Sequence, residues 1–323
     1  MPFDIKIRFD TFISRAYTNG KYLEGTCYFM DINYELYKVF YYVATSLSFS
    51  DASKQLYISQ SAVSQSIKTL EKKLEQPLFI RSTKKVQLTP AGKLLLKHIE
   101  PAMNLIQRGE NQLLETGTLG LGQLHIASSD TLCRYFLVPY LKKFHELFPN
   151  VPIKVSNSTS LGCVELLEQG KVDLIITNFP NSQLNQAYIQ KTVCNFNDVF
   201  IANRNHYDLE DKVLAFEDLG QYPLMLLERR STTSEFLHNL FLQHQLELIP
   251  EIELSSNDLL IDLARIGLGI AFVPDFCIEK NSKDLFVVKT KETIPSRQIV
   301  AAINPSLPIA QSTEEFLKLF PTL

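Results

Sequence analysis

Cysteine is scarce and dispersed. Cys27, Cys133, Cys163, Cys194 and Cys277 are the five in 323 residues, and none forms a CxxC pair or other metal-ligand spacing. An odd, scattered set argues against a disulfide framework and fits reduced thiols in a cytoplasmic compartment. Long apolar runs are missing as well, and the first residues lack the basic-then-apolar layout of a secretory signal, so neither a membrane span nor export is expected. The six histidines show no HExxH spacing. No GxSxG, P-loop or GxGxxG stands in its required strand-turn-helix context. Asp130 and Asp258 are scattered acids on separate loops, and they make no acid-base pair. No enzyme activity, cofactor or metal site is therefore expected.

Positive charge is also short overall, since the formal net charge is −3. It is concentrated instead. Ser50–Lys85 holds seven basic residues against three acidic, a local +4 that leaves −7 for the remainder. A basic segment on an acidic body fits a nucleic-acid-reading head joined to something else. Hydrophobic content of 45% and charge of 21% are ordinary, and the length allows two or three domains.

Within the basic segment, SDASKQLYISQSAVSQSIKTLEKKL carries two short helical patterns almost back to back. Ser50 is placed to cap the first, which carries Ala52 and Leu56, and Leu56-Tyr57-Ile58 reads as a break with apolar anchors. Ser59 is placed to cap the second, whose Ala62, Val63, Ile67, Leu70 and Leu74 recur at 3-4 spacing. The opposite face presents Gln60, Ser61, Ser64, Gln65, Lys68 and Lys72, short polar groups and cations suited to base edges and phosphates. That is the pattern of a helix-turn-helix; two amphipathic surface helices are the plainer alternative.

Asn33–Ser46 precedes the pair as a helix with Leu36, Val39, Phe40 and Val43 on one face. After the pair, Leu78–Ile80 and Val86–Leu88 read as two strands joined by the basic turn Arg81–Lys85, a wing able to touch phosphates with Arg81, Lys84 and Lys85. Thr89-Pro90 then opens a long helix to about Thr116, with Thr as N-cap and Pro at the first position. Its stripe of Leu95, Ile99, Ala102, Ile106 and Leu113 is close to a heptad seam, which predicts dimerisation; packing on its own domain is the alternative. Pro101 should bend this helix without ending it.

Residues 1–29 show no sustained period, and a helical pattern starts directly after Met30. Glu24-Gly25 fits a purine-rich run of the ribosome-binding kind, so the native start is expected at Met30; a genuine extra strand or arm is the alternative. At the far end of the long helix, Gly117–Gly122 is a hinge by composition. Beyond it strand-helix alternation appears twice: Gln123–Ala127, Thr131–Phe148, Ile153–Asn157, Ser160–Gln169 and Val172–Ile176, then Leu224–Leu227, Thr232–His244, Glu251–Leu254, Asn257–Ile266 and Ile270–Val273. Alternation with short loops predicts two parallel α/β subdomains with a cleft between them. Four strand-to-helix turns, at 128–131, 157–160, 230–233 and 255–258, are rich in Ser, Thr and Asn. They suit a small polar or anionic metabolite, although each could serve only as an N-cap. Arg229-Arg230 beside Ser231 hints at an anion, and Cys133 and Cys163, just inside cleft helices, are candidates for thiol sensing.

From about Met30 onward the chain resembles the LysR-type transcriptional regulators. FSDASKQLYISQSAVSQSIKTLEKKLEQPLFIRSTKKVQLTPAG is similar to the family's DNA-binding head, LVPYLKKFHELFPNVPIKV and GKVDLIIT to the first half of its effector domain, and IGLGIAFVP to the second. The resemblance implies a multi-domain protein. An all-α winged helix-turn-helix (30–88) and a linker and dimerisation helix (89–116) lead through a hinge (117–122) to an α/β, periplasmic-binding-protein-like effector domain (123–323). That domain would have two Rossmann-like subdomains, I at about 123–177 and 293–323 and II at about 178–292. It also implies a homodimer or homotetramer on a double-stranded DNA operator, with RNA polymerase as a partner if the protein activates. Gln60, Ser61, Ser64 and Gln65 match base-reading positions; Lys54, Ser59, Arg81 and Lys84 match backbone-contacting ones. Ser129, Thr131, Thr159, Ser160 and Ser231 match effector-holding loops, and Ser128, Thr177, Asn178 and Thr232 flank them as further candidates. Glu75 stands where the family usually has a glycine C-cap, and Cys194 lacks the near mate of the peroxide-sensing branch. A small-molecule binding protein without DNA function is the competing class.

Overall fold

The computed structural model describes residues 13–18, 21–26, 32–81, 85–114, 122–279 and 283–321. The expected start at Met30, Lys84 at the wing tip, the side chain of Arg81 and most of the glycine hinge lie outside these. The chain forms two compact units, Met1–Ile99 and Glu100–Leu323.

In the first unit, β1 (Ile13–Thr18) pairs antiparallel with β2 (Lys21–Thr26). Helix α1 (Tyr34–Ser46) starts at Asn33, whose side chain accepts from the Glu35 amide. Helix α2 (Phe49–Leu56) is capped by Ser48 and not by Ser50: the Ser48 hydroxyl accepts from the Asp51 amide at 3.1 Å. Starting earlier places Phe49 inside the helix, where its ring meets Phe79. Tyr57 ends α2 in the left-handed region, and this turns both Tyr57 and Ile58 outward, so neither anchors the turn; Tyr57 is 95% exposed. Helix α3 (Gln60–Leu74) starts on Ser59 as expected and buries Val63, Ile67 and Leu70 against Val39, Phe40, Val43 and Ala52. Ala62, placed on that face by its spacing, is exposed.

Helix α3 ends on Glu75 at φ 53°, so the carboxylate-bearing residue adopts the left-handed conformation that glycine takes most cheaply. The connection from there into the wing is tightly pinned. The Glu71 carboxylate accepts from the amides of Leu78 and Phe79. The Thr89 hydroxyl donates to the Pro77 carbonyl and accepts from the Gly92 amide. Strands β3 (Phe79–Arg81) and β4 (Val86–Leu88) form the wing with Phe79 opposite Leu88. Helix α4 (Pro90–Leu114) continues through Pro101. Its Ala91, Leu95, Leu96 and Ile99 pack on the core of the first unit.

The second unit begins with the rest of α4. Glu100 pairs with Lys171 at 2.7 Å, the Asn104 amide donates to the Gln169 carbonyl at 2.7 Å, and Arg108 pairs with the buried Asp173. The first sheet contains β5 (Leu124–Ser128), β6 (Ile153–Asn157) and β7 (Leu174–Phe179), all parallel. Between them lie α5 (Asp130–Leu132), a π turn (Cys133–Leu137), α6 (Val138–Leu147) and α7 (Ser160–Glu168). The second sheet is built from β9 (Asp198–Asn203), β10 (Val213–Leu214), β11 (Leu224–Leu227), β12 (Ile252–Leu254), β13 (Ile270–Pro274) and β14 (Leu285–Thr290). Helices α8 (Phe216–Leu219), α9 (Thr232–Gln243) and α10 (Asn257–Arg265) belong to this lobe.

Two features depart from the expectation. The sheets are mixed: β9 runs antiparallel to β13 and β14, and β15 (Arg297–Ile303) antiparallel to β7. In addition β8 (Ile189–Phe196) pairs with β15 in the first sheet, so the chain changes lobes after Phe196 and not near residue 178. Helix α11 (Gln311–Leu317) closes the first lobe through Phe316.

Two opposite changes in the head test this packing. A Cβ on Gly92 would collide with the Leu78 carbonyl oxygen, so Gly92→Ala should destabilise the head by about 1–3 kcal/mol. Relieving the left-handed strain at Glu75 should gain about 1 kcal/mol in Glu75→Gly. Urea unfolding followed by helical circular dichroism reads both signs, and equal midpoints for the two variants would contradict the structure.

Candidate functional site

On the head, Gln60, Ser61, Gln65 and Lys68 are exposed along one side of α3, and Ser64 is half-buried beside them. The buried row Val63, Ile67 and Leu70 holds the helix from behind, which leaves this polar face outward. The Ser59 hydroxyl is occupied as the N-cap, accepting from the Ala62 amide, and lies 2.9 Å from the Ser61 hydroxyl. Lys54 is engaged with Asp51 at 3.2 Å in an exposed pair, the kind that contributes little and is readily exchanged for a phosphate. Lys85 is exposed where the turn of the wing enters β4. Tyr57, fully outward beside the start of α3, was hidden from the sequence pattern because only its left-handed backbone turns it to solvent.

The expected seam of α4 divides. Leu95 and Ile99 turn into the head, whereas Ala102, Ile106 and Leu113 are exposed, the last two by 55% and 78%. Leu94, also 63% exposed, lies on a different side of the helix from them.

In the second unit the four Ser/Thr-rich turns are N-caps without exception. Ser129, Thr159, Ser231 and Ser256 accept from the amides of Leu132, Gly162, Ser234 and Leu259. Several expected ligand groups are engaged internally. The Ser128 hydroxyl donates to the Ile176 carbonyl and is fully buried. Asn181 donates to both the Ser160 carbonyl and the Thr177 hydroxyl. Thr232 is buried, and Arg229 and Arg230 are exposed.

Two of these turns meet across the two lobes, and neighbouring residues add further contacts. Asn257 donates to Thr131 at 3.0 Å, Arg134 pairs with Asp258 at 3.0 Å, the Tyr135 hydroxyl donates to Asp258, and Ser182 donates to Glu235. The Asp258 carboxylate and burial together push the Tyr135 phenol up to about 12, burial being the larger cause. Beside these contacts a cavity of about 370 Å³ is lined by Arg134, Tyr135, Asp258, Asp262, Arg265 and Phe276 among others.

No motif or spacing points to the group at the crossing between lobes. Arg297, 1% exposed, donates to Asp198 at 2.8 Å and to the Thr233 hydroxyl at 3.1 Å. Its guanidinium carbon lies 5.3 Å from the centre of the Phe196 ring and 4.9 Å from that of Phe236. An arginine opening an apolar strand looks like a solvated strand end; only the three-dimensional crossing buries it.

The chain matches two family models. Residues 34–93 match the bacterial regulatory helix-turn-helix protein, lysR family, and residues 118–322 match the LysR substrate binding domain. It is 28% identical over 282 residues to a probable RuBisCO transcriptional regulator of Phaeodactylum tricornutum, covering 85% of this chain and 89% of the relative. It is 27% identical over 240 residues to the HTH-type transcriptional activator CmpR of Synechocystis sp., covering 73% and 77%. Among solved structures it resembles a full-length OxyR variant from Pseudomonas aeruginosa (TM-score 0.64, 19% identity, 90% and 96% coverage). It also resembles full-length CbnR complexed with its target DNA (TM-score 0.61, 19% identity, 89% and 98% coverage).

The helix N-termini do not activate the thiols. Burial pushes Cys163 up to about 12, and burial likewise raises Cys133 and Cys277. Thiolate is the reactive form. Iodoacetamide at pH 7.5 should therefore leave Cys163 and Cys277 unmodified in the folded protein and label them once it is unfolded, as read by peptide mass spectrometry. Rapid labelling of Cys163 in the native state would restore thiol sensing as a reading.

Proposed function

The chain belongs to the lysR family of bacterial helix-turn-helix regulators, and we propose specific residues for each part of what such a regulator does. Members of the family bind DNA operators, respond to small-molecule effectors and form oligomers. This protein is accordingly a DNA-binding transcriptional regulator under effector control, and not an enzyme. No described helix is long and apolar enough to cross a membrane, and a DNA-binding protein of this kind works in the cytoplasm.

The observation that carries the residue assignment is the outward polar face of α3. Gln60, Ser61, Ser64 and Gln65 read base edges in the major groove. Lys54, Ser59, Lys68, Arg81, Lys84 and Lys85 contact the phosphates, with Tyr57 beside them. The exposed stripe Ala102, Ile106 and Leu113 on α4 is the seam for a second copy, and pairs of dimers give a tetramer. A relative named as a transcriptional activator supports RNA polymerase as a partner.

The effector binds between the lobes, where Thr131, Asn178 and the capped turns at Ser129, Thr159 and Ser231 converge with Asn257. Helix N-termini favour acidic groups, so an anionic or polar metabolite is the expected class. Ser128, Ser160, Thr177 and Thr232 shape this site by holding the turns rather than by touching the ligand.

Operator binding separates the roles. Gln65→Ala should cost about 1–3 kcal/mol on the preferred sequence and relax base choice at one position. Lys68→Ala should weaken all sequences alike and lower the slope of affinity against salt. Identical behaviour of the two variants would sink the assignment. For the effector, thermal unfolding with a panel of small acids should find one that at about 100 times its dissociation constant adds about 2.7 kcal/mol. Thr131→Val should abolish that shift.

A further inference from the structure

Among the described residues, nine buried side-chain polar atoms have no hydrogen-bond partner, and five of them lie on four residues of the two lobes. They are the Nε and Nη2 of Arg297, and the Oδ1 atoms of Asp198, Asn178 and Asn257. Buried polar groups are almost always satisfied, so a cluster of orphans at one place calls for a partner. Their positions agree. Asn178 on β7 pairs with Ile299 on β15, which puts Asn178 and Arg297 two residues apart on the same face of the first sheet. Helix α9, whose Thr233 accepts from Arg297, packs against β7. Asn257 already reaches across to Thr131 with its amide nitrogen, leaving its oxygen free.

The chemistry of the set is specific. Arg297 offers two unused donors along one edge, while the Phe196 and Phe236 rings lie near its guanidinium. Asp198 shares the guanidinium charge, so a ligand here has to bring hydrogen-bond donors as well as an acid group. Three unused acceptor oxygens require donors in return. We infer that the effector is a small carboxylic acid that also carries hydroxyl or amino groups. Its carboxylate lies on the free edge of Arg297, and its donors face Asp198, Asn178 and Asn257. This rests on the cleft being the effector site and adds the chemical class: a hydroxy- or amino-carboxylate rather than a plain acid or a mineral anion. The N-termini of α9 and α10 stabilise the acid group further.

The test uses the full chain and matched probes in titration calorimetry and thermal unfolding. Glycerate and serine are compared with propionate, malate with succinate, and sodium sulfate serves as the mineral anion at equal ionic strength. At least one donor-bearing acid should bind ten times more tightly than its plain counterpart. Asn178→Leu should cut that affinity tenfold or more while leaving the unliganded melting temperature unchanged or raised, because the oxygen it removes has no partner in the protein. A purely structural Asn178 would instead lower the unliganded melting temperature and leave affinity alone. Equal binding of propionate, succinate or sulfate overturns the inferred class, and so does a panel in which nothing binds. Should a plain acid bind and Thr131→Val abolish it, the cleft remains the effector site and only the donor-rich class falls.

Discussion

The Arg297–Asp198 pair is the constraint on which the effector domain turns. Asp198 begins the first strand after the chain leaves the first lobe, and Arg297 begins the strand by which it returns. Both side chains are essentially out of water, with exposures of 1% and 0%. Removing two charges from water costs several kcal/mol each, and their attraction offsets this only when the geometry is good and further hydrogen bonds are made. Here one contact joins the ions, Thr233 adds a second acceptor, and three of the remaining polar atoms are left over. Burial pushes the Asp198 carboxyl upward against the pull of the guanidinium. Such a pair fixes the crossing of two strands firmly while leaving binding capacity beside it.

Most of the architecture could be read from periodicity, because the elements that place the site are short amphipathic helices and buried strands with hydroxyl caps. Ser59, Thr89, Thr159, Ser231 and Ser256 all stand where a helix start was expected, and all accept from the helix amides. The failures share a cause. Ser48 displaced Ser50 because Phe49 is needed in the core, and Tyr57 turned outward because the backbone takes a positive φ. Neither effect has a sequence period. The strands β8, β9, β14 and β15 went unread because no helix alternates with them, and with them went Asp198, Arg297 and the true point of lobe exchange. Each hydroxyl at a helix start serves first as a cap, accepting from a helix amide, which leaves its own O–H to donate elsewhere. The groups left over were an Arg and three carbonyl or carboxylate oxygens, which no motif announces.

Helix α4 serves both units, and its sequence divides accordingly. Its early apolar residues complete the head core, and Glu100, Asn104 and Arg108 grip the segment 169–173. Ala102, Ile106 and Leu113, on one face, and Leu94, on another, are its exposed apolar remainder. Apolar side chains left in water carry a cost that any surface covering them removes.

The gripped segment directly follows α7, and α7 begins at the cleft on its Thr159 cap. Nine residues of helix, about 13 Å, therefore separate the turn that faces a ligand from the residues that hold α4. A ligand can shift an equilibrium only by the difference in its affinity for the two states. The unpartnered oxygens of Asn178 and Asn257 lie on different lobes, so a ligand bonded to both would bind one lobe arrangement more tightly than another. Helix α7 is the element that joins such a site to the segment gripped by α4.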